Sequence, residues 1–536
     1  MDGESLRPLA APRASRPSFQ GGLMAITQPL PETSDGRRRI ALDSPIDRHR
    51  VGELVVSTPD DVERAVARAR AAQPVWAALP VRERARIVRG ALDVLVRRRE
   101  EIIDTVHAET GKPHIEAVAM ELLPSCDFIN YWSAHAARAL KPERRGLHGY
   151  IRPFRKLYVH YQPLGVVGVI TPWNAPFVLS LNPVVQALLA GNAVILKPSE
   201  VAPYSGAWVV RLLQEAGVPA DVVQVLHGDG QTGAALVDSG VDKICFTGSV
   251  ATGRKVGAAC GAALKPCALE LGGKDAMIVC ADADLERAAA GAVYLSLFNC
   301  GQVCLSVERV YVVESVADEF IRRVREQAEQ VRFRRDQAVD VGPLIWDRQL
   351  EVVKRHLEDA CLRGASILVG GDPVGGDGLH FEPTVVIDVT HEMDLMTEET
   401  FGPVVAIMRV PDEEAAIELA NDSRYGLSGS IFTKDSATAR RIAARLNTGS
   451  VVHNDAAVIY GVPEAPFGGR KSSGLGHINN GPEGLRGYAH PQPVLVARGG
   501  AKREAIWYPY SRATEQKLKA VVRFGFGNRL GRWLLS

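Results

Sequence analysis

Cys304 stands in a local sequence that could support acyl chemistry. It ends the segment GQVC, whose small residues leave room for a substrate at the sulfur. A cysteine thiolate is a strong nucleophile toward a carbonyl carbon, but a single cysteine is more often a small buried hydrophobic residue. Taken alone, the segment leaves both interpretations open.

Glu270 and Asn174 are the candidate partners of such a nucleophile. Glu270 follows a strand-like segment and precedes two glycines, a position from which a carboxylate could act as a general base on water. Asn174 lies in TPWNAP, where its amide could donate to a developing oxyanion without adding charge. The alternatives are a salt-bridged strand end for Glu270 and a turn-stabilising side chain for Asn174.

Two further strand ends indicate a nucleotide site. FTGS, which contains Gly248 and Ser249, closes an apolar strand and opens a helix, so its free N–H groups could bind a pyrophosphate. The segment is not GxGxxG and by itself is a weak dinucleotide signal. In KPSE, Lys197 and Glu200 could bind ribose hydroxyls, and a carboxylate there disfavours a 2′-phosphate. This predicts NAD rather than NADP.

Alternating strands and helices must position these residues. From residue 166 onward, apolar segments alternate with helical patterns, which predicts a parallel, doubly wound α/β sheet; the alternation resumes after Gly272, so a second α/β domain follows. A helix is expected after an N-cap at Thr58, and another over about 81–98. Residues 147–162 alternate as a half-exposed antiparallel ribbon would. The predicted strands are 166–170, 193–196, 222–226, 244–246, 276–279 and 309–313.

Composition bounds the class of protein. The 536 residues include 63 Lys and Arg against 62 Asp and Glu, so no overall charge favours nucleic acid. Eight cysteines are too few for a disulfide scaffold, and no pattern among them predicts a metal site, which together favour a reducing, cytoplasmic location. The uncharged stretch 157–196 is interrupted by prolines and is expected to be buried core rather than a membrane span.

Both ends of the chain differ from the rest. Residues 1–40 are rich in Pro, Ser and Arg and predict a disordered leader. Residues 501–536 carry eight basic and two acidic side chains, a net charge of +6, with aromatic residues between them. That tail could lie on a membrane surface or gate an apolar tunnel. The preferred alternative is a tail packed on its own chain or on a partner subunit.

Seven motifs together resemble the aldehyde dehydrogenase superfamily between about residues 40 and 498. They occur in that family's order, and 34 residues separate Glu270 from Cys304, as in the family. One such motif would be weak, whereas seven in register make coincidence very improbable. The motifs are PWNAP, KPSE, FTGS, ELGGK, GQVC, EETFGP (398–403) and PFGGRKSSG (466–474).

The resemblance implies a role for each matching residue. Cys304 would be the nucleophile and Glu270 the base, while Asn174 and the Cys304 backbone N–H would form the oxyanion hole. Glu399 would hold the nicotinamide ribose, with Phe401 beside the ring. The implied cofactor-binding set is Thr171, Pro172, Trp173, Lys197, Ser199, Glu200, Gly248, Ser249, Leu271, Gly272, Glu399 and Phe401. The implied substrate tunnel includes Ala175, Val303 and Phe467.

The resemblance also implies an architecture. We expect a Rossmann-like NAD-binding domain from 41–146 and 165–270, and a second α/β catalytic domain over 271–465. An oligomerisation ribbon would use 147–164 and 486–500, and 501–536 would be a basic aromatic tail. The implied assembly is a homodimer or homotetramer, with no nucleic-acid partner and with membrane contact by the tail not favoured.

The implied reaction is NAD-dependent oxidation of an aldehyde to a carboxylic acid, with NADP use left open. Glu270 favours hydrolysis, because family members that acylate coenzyme A tend to lack this base. Pro183, where many members have a lysine, and YPY at 508–510 resemble a fatty-aldehyde branch, and Ala175 suggests a roomy tunnel, so a medium or large apolar aldehyde is preferred. LSVER after GQVC and GPEGL at 481–485 also resemble some bacterial semialdehyde dehydrogenases, and a succinate-semialdehyde dehydrogenase is the second alternative. A catalytically silent protein on the same fold is the third alternative.

Overall fold

The computed structural model describes residues 27–34, 36–152, 154–333, 339–476, 479–499, 502–504 and 506–536. Its strands, in chain order, are β1 (Thr27–Leu30), β2 (Arg39–Asp43), β3 (Arg50–Val55), β4 (Glu143–Arg145), β5 (Arg155–Pro163), β6 (Val166–Ile170), β7 (Ala193–Lys197), β8 (Val223–Val225), β9 (Lys243–Thr247), β10 (Cys267–Glu270), β11 (Asp275–Val279), β12 (Val307–Val313), β13 (Ser366–Val369), β14 (Thr384–Ile387), β15 (Val404–Val410), β16 (Gly429–Phe432), β17 (Val452–His453), β18 (Gly474–Leu475) and β19 (Ala489–Ala497).

Helices connect most of these strands. They are α1 (Pro59–Ala78), α2 (Val81–Thr110), α3 (His114–Glu116), α4 (Leu123–Ala139), α5 (Val178–Leu189), α6 (Pro203–Glu215), α7 (Gly230–Asp238), α8 (Val250–Ala262), α9 (Leu285–Leu297), α10 (Glu314–Ala328), α11 (Asp347–Leu362), α12 (Asp394–Thr397), α13 (Glu413–Asn421), α14 (Ser436–Ala443), α15 (Gly481–Arg486), α16 (Arg512–Ala520) and α17 (Arg529–Leu535). Two π-helical turns, Ala117–Leu122 and Val521–Phe526, adjoin α4 and α16.

The first large sheet has the order β18-β10-β9-β6-β7-β8. Its five central strands are parallel, and β18 joins its edge antiparallel to β10. Strands β6 and β7 are buried at every position because helices cover both faces, which explains their uninterrupted apolar sequences. The predicted α/β fold and the strand at 166–170 are confirmed.

The second large sheet has the order β13-β14-β15-β12-β11-β16-β17. Only the edge strand β13 is antiparallel to its neighbour β14. Every residue of the central strands β11 and β12 is buried. The prediction of a second parallel α/β unit after Gly272 is therefore confirmed.

Local signals explain where the first helices begin and end. Thr58 caps α1: its side chain accepts from the Asp61 N–H, and the Asp61 carboxylate accepts from the Thr58 N–H, which is a capping box. The predicted helix start is confirmed. Helix α2 runs to Thr110, beyond the predicted end near 98, and stops where Gly111 adopts a φ of 70°.

A third, exposed sheet has the order β19-β5-β4, with nine residue pairs joining β19 and β5. The predicted start of the ribbon at 147 is wrong. Residues 146–152 form a turn in which Gly149 has a φ of 80°, and the strand begins at Arg155. Strand β4 has only three residues, which is too short for an alternation of apolar and polar residues to predict it.

The expected disordered leader over 1–40 is wrong for the residues that form strands. Strand β1 pairs with β2 and β2 with β3, so residues 27–30 and 39–40 are ordered by backbone hydrogen bonds that composition does not reveal. Residues 1–26 lie outside the described part of the chain. Within the described residues, no helix is both long enough and apolar enough to cross a bilayer.

Candidate active site

The strand order of the first sheet creates a switch point between β6 and β9. From β6 the chain proceeds to β7 and β8 on one side, whereas β9 and β10 lie on the other. In open α/β sheets, ligands bind outside the carboxyl ends of strands at such a point. The segment from Thr171 to Asn174 follows β6, and Gly248 and Ser249 follow β9. Two of the predicted motifs therefore meet at this crevice.

The amino ends of the second sheet face the same crevice. Cys304 lies three residues before β12, and Glu399 lies five residues before β15. Hydrogen bonds join the two sides of the crevice here. The Asn174 side-chain N–H donates to the Gln302 carbonyl at 3.0 Å, and the Gly273 N–H donates to Glu399 Oε1 at 3.0 Å.

Asn174 is held by a buried polar network. Its carbonyl accepts from the Asn299 side chain at 3.0 Å and from the ammonium of Lys112. Lys112 is ion-paired at 3.0 Å with Glu121, and both side chains are buried. Glu121 also accepts from the N–H groups of Phe177 and Val178 at the start of α5. These contacts fix the backbone carbonyl, while the side-chain amide donates one N–H to the Gln302 carbonyl and has its second N–H available to the cavity that Asn174 lines.

The segment that leads to Cys304 has an unusual backbone. Asn299, Cys300 and Gly301 have successive φ values of 54°, 56° and 70°. A Cβ on Gly301 would overlap the carbonyl of Gly402, so only glycine fits there. The Asn299 N–H donates to Glu116 Oε1 at 3.0 Å. These contacts fix the position of the half-buried Cys304.

Cys304 and Asn174 line one cavity of about 850 Å³. Its wall is largely apolar and comes from Leu92 and from residues in the segments 119–130, 174–179, 294–305 and 455–461. Among the described residues that line it there is no Lys, Arg or His, and the two charged side chains are Asp127 and Asp455. This cavity can hold a large uncharged apolar molecule beside the thiol.

Carboxylates dominate the electrostatics around the thiol. Burial raises the pKa of the Cys304 thiol well above its usual value, and the negative charges of Glu270, Asp275 and Glu399 raise it further. Burial, followed by the charge of Asp275, also raises the pKa of Glu270 well above its usual range. Within the described structure, neither carboxylate oxygen of Glu270 has a hydrogen-bond partner. Glu270 is thus an unpartnered buried base in the same electrostatic neighbourhood as the sulfur.

The predicted nucleotide residues lie at neighbouring strand ends. Lys197 is buried at the end of β7, with its ammonium 3.4 Å from Glu200 Oε2 and Ser199 beside it. Burial lowers the pKa of Lys197, and Glu200 opposes that effect. Ser249 caps α8, and its side chain accepts from the Thr252 N–H at 3.3 Å. The helix therefore begins at the crevice with free N–H groups.

Glycines allow neighbouring side chains to approach the backbone closely beside these groups. A Cβ on Gly272 would overlap the carboxylate of Glu399, so glycine permits that side chain to approach the ELGGK segment. A Cβ on Gly253 in α8 would likewise overlap Leu271. Burial raises the pKa of Glu399 to about 8, with Glu308 adding to the shift. A half-buried carboxylate with one oxygen held by the Gly273 N–H fits the hydroxyls of a ribose through the other.

Aromatic side chains close this region. The rings of Trp173 and Phe401 meet edge to face with centroids 5.6 Å apart, and Pro172 precedes Trp173 in the same half-buried turn. The Thr171 hydroxyl is 2.8 Å from that of Ser180, which ties the turn to α5. No cluster of three metal-ligating side chains occurs among the described residues.

The predicted tunnel residues divide into two groups. Ala175 and Val303 line the cavity. Phe467 belongs to an apolar cluster against which Val303 and Cys304 pack, and its ring meets that of the cavity-lining Tyr460 edge to face, with centroids 5.2 Å apart. Its place in the tunnel wall stays a prediction. The sequence analysis also missed the wall formed by α4, where Leu123, Asp127 and Asn130 recur at helical spacing. That spacing was the available signal.

Comparison with known proteins assigns this architecture to a class. The sequence profile of the Aldehyde dehydrogenase family matches residues 32–494. A 4,4'-diapolycopene aldehyde oxidase from Methylomonas sp is 39% identical over 488 residues, covering 91% of both chains. A protein of Mycolicibacterium smegmatis with the provisional name of NADP(+) succinate-semialdehyde dehydrogenase is 39% identical, covering 87% of this chain and 90% of that one.

Solved structures agree. Mycobacterium tuberculosis aldehyde dehydrogenase complexed with NAD+ superposes with a TM-score of 0.82 at 36% identity, covering 88% of this chain and 96% of that one. An NAD-dependent aldehyde dehydrogenase from Sinorhizobium meliloti gives 0.84 at 34% identity, covering 90% and 96%. The chain belongs to the aldehyde dehydrogenase family.

Proposed function

We propose that the protein oxidises a medium or large apolar aldehyde to the carboxylic acid with NAD as the hydride acceptor. The observation that supports this most strongly is the apolar cavity of about 850 Å³ that Cys304 and Asn174 share. A reactive thiol and an amide donor beside one apolar volume suit the capture of an uncharged carbonyl compound.

The first step is addition of the Cys304 sulfur to the aldehyde carbon. The thiol proton leaves to solvent as the new C–S bond forms, while Glu270, whose charge is the strongest of the carboxylate influences on the thiol, acts in the later hydrolysis. The Asn174 amide and the Cys304 N–H donate hydrogen bonds to the oxyanion as the carbonyl becomes tetrahedral. The Lys112 and Asn299 contacts hold the backbone carbonyl of Asn174 during the step, and the Gln302 carbonyl orients its side-chain amide.

The second half of the reaction is hydrolysis. Bound NAD would supply the acceptor for the hydride that leaves the tetrahedral adduct, and a thioester on Cys304 results. In its ionised form, Glu270 takes a proton from water as that water attacks the thioester carbon. The C–S bond then breaks, the leaving sulfur takes this proton from Glu270, and the acid product loses its own proton to solvent and leaves as the carboxylate.

The crevice residues fit a dinucleotide. Lys197, Ser199 and Glu200 would hold the adenosine ribose, Gly248 and Ser249 the pyrophosphate, and Glu399 the second ribose, with Thr171, Pro172, Trp173, Leu271, Gly272 and Phe401 around the ring. The Glu200 carboxylate beside Lys197 disfavours a 2′-phosphate, which supports NAD over NADP. One solved relative is described as an NAD+ complex, and one sequence relative is named for NADP(+).

Succinate semialdehyde is the second candidate substrate, because several relatives carry its name. Its distal carboxylate needs a cationic partner when it is buried. The described lining of the cavity offers Asp127 and Asp455 instead, which repel such a group. A long uncharged aldehyde meets no such penalty, and the Methylomonas relative is named for a diapolycopene aldehyde.

Assembly and location complete the proposal. The exposed β4-β5-β19 sheet supports a homodimer or homotetramer, because β19 presents an unpaired edge with apolar side chains. None of the eight cysteines, all of which lie in the described part of the chain, forms a disulfide, which supports a cytoplasmic setting.

Steady-state kinetics test the proposed substrate and cofactor. We expect kcat/KM for decanal to exceed that for succinate semialdehyde by at least about tenfold, since leaving one buried charge unpaired costs more than about 1.4 kcal/mol. NAD should be preferred to NADP. Cys304→Ala should abolish turnover of both aldehydes, whereas Cys361→Ala, at an exposed thiol away from the cavity, should leave it unchanged. A preference for succinate semialdehyde would reject the apolar substrate, and full activity in Cys304→Ala would reject the mechanism.

A further inference from the structure

The C-terminal segment carries apolar side chains that are exposed among the residues that the structure describes. Helix α17 presents Leu530, Trp533 and Leu534 at positions i, i+3 and i+4, with side chains 62–71% exposed. Leu518, Val521 and Val522 form a similar stripe where α16 continues into its π-helical turn. Exposing two neighbouring apolar stripes to water is unfavourable in free energy, so this surface is typical of one that binds another molecule or a membrane.

Aromatic residues continue the same surface. Trp507, Tyr508 and Tyr510 are exposed between the ribbon and α16. Tyr150, in the turn 146–152, is exposed as well, and that turn is bound to α17 because the Gly149 N–H donates to the Leu535 carbonyl at 2.6 Å. We call residues 506–536 and the turn 146–152 the C-terminal surface.

The charge of this region is strongly positive. Residues 501–536 contain eight basic and two acidic residues. Both acids already have partners, since Glu504 pairs with Arg155 and Glu515 with Lys519. Residues 144–156 add five more basic residues and no acid. The apolar stripes are thus bordered by cations.

We propose that the C-terminal surface binds the face of an anionic lipid bilayer. Amphipathic helices with Lys and Arg beside Trp, Phe and Leu lie in the interfacial plane, where the apolar face enters the acyl boundary and the cations meet acidic headgroups. Interfacial aromatic residues are favoured at that depth. The cores of subunit interfaces are depleted of charge, so the dense Lys and Arg content favours lipid over a second copy of the chain.

This inference does not depend on the proposed oxidation of an apolar aldehyde, but the two are compatible. Long apolar aldehydes partition into bilayers, and an enzyme held at the bilayer surface would meet a high local concentration of them. The surface and the cavity use different residues, so each can be altered without the other.

Vesicle co-sedimentation of the full-length protein tests the inference. We expect binding to vesicles of phosphatidylcholine and phosphatidylglycerol in equal parts, weak binding to phosphatidylcholine alone, and release as salt increases. Lys517→Gln with Arg529→Gln should weaken binding about thirtyfold, because each basic residue near an anionic surface contributes a factor of about five. Lys434→Gln with Arg440→Gln, exposed residues elsewhere, should change it less than about twofold.

The apolar contribution is tested separately. Trp507→Ser with Trp533→Ser should weaken vesicle binding at least about tenfold, whereas Leu264→Ser with Leu362→Ser, which are even more exposed but lie elsewhere, should have no effect. All four double variants should retain dehydrogenase activity on a water-soluble aldehyde. The inference would be overturned if the protein did not bind the vesicles. It would also be overturned if the variant with both tryptophans replaced bound them as tightly as the wild type. A lower oligomer mass in the tryptophan variant without any lipid binding would assign the surface to a subunit contact.

Discussion

At the scale of single residues, buried glutamates serve opposite purposes in this chain. Glu109 accepts from the Tyr204 N–H at 2.8 Å and from the N–H and hydroxyl of Ser205, so it stabilises the start of α6. Glu270 is equally buried but has no such donors in the described structure. Burial without a partner costs stability, and a residue of this kind at a crevice is typical of a reacting group.

We expect Glu270→Gln to stabilise the protein while it impairs turnover. The raised pKa of Glu270 means that the native state keeps a proton that the unfolded state releases as pH rises above about 4.5, so stability falls with pH across that range. Glutamine removes this loss. The free energy of unfolding should rise by about 1–3 kcal/mol at pH 8 and less at pH 5. A burst of NADH in the first turnover should persist while later cycles slow.

Glu109→Gln is the matched control. Burial raises the pKa of Glu109 to about 7, and the hydrogen bonds from residues 204 and 205 oppose that shift. Its amide would turn an N–H toward those donors and lower stability by about 1–3 kcal/mol at pH 8. Denaturant titrations at both pH values give the comparison. Equal destabilisation in the two variants would contradict the distinction drawn between the two glutamates.

At the scale of elements, the loop before Cys304 combines strain with dense support. Three successive left-handed residues would be costly in isolation, and the contacts of Asn299 and Gln302 offset that cost. The Gln302 side chain also accepts from the Ile345 N–H at 2.8 Å, so the loop is anchored to the segment before α11. The sulfur is therefore positioned by a rigid loop.

Gly301→Ala should disrupt this loop. Its φ of 70° and the close approach of Gly402 together predict a loss of about 2–4 kcal/mol of stability and at least about a hundredfold loss in kcat. Gly36→Ala is matched in φ, at 76°, but has open space around it. That variant should lose about 1 kcal/mol and keep full kcat. Thermal unfolding and steady-state rates distinguish the two, and an unaffected kcat in Gly301→Ala would contradict a rigid loop.

The same elements show what the sequence could predict. Strand β6 and the cap at Thr58 follow from local patterns, namely an uninterrupted apolar segment and an acid three residues after a threonine. The contact of Asn299 with Asn174 joins residues 125 apart, and no local pattern encodes it. Motif order likewise identifies the segment that contains Phe467 but not the edge-to-face contact of its ring with that of Tyr460.

At the scale of the whole molecule, the crevice depends on two sheets whose opposite ends meet. Strand ends β6, β7 and β9 approach from one side, and the loops before β12 and β15 from the other. The β4-β5-β19 sheet stands apart from both and exposes most of β19. That division predicts that assembly can be altered without altering the site.

Leu495→Lys should weaken the proposed assembly. Leu495 is a half-exposed leucine in β19, and a charge on an edge strand opposes pairing with a second chain. Sedimentation velocity should show a shift from dimer or tetramer toward monomer. Leu264→Lys, at a more exposed leucine outside the ribbon, should leave the mass unchanged. A wild-type monomer, or an unchanged mass in Leu495→Lys, would contradict a role for the ribbon in assembly.

The two aspartates of the cavity have a consequence for the end of the catalytic cycle. The incoming aldehyde is neutral, but the acid that forms from it bears a negative charge. Asp127 and Asp455 then repel the compound that the same walls admitted. Oxidation would therefore convert a ligand that the cavity binds favourably into one that it binds unfavourably. Inhibition by the acid product should be weak, and the enzyme should reduce the acid back to the aldehyde only slowly.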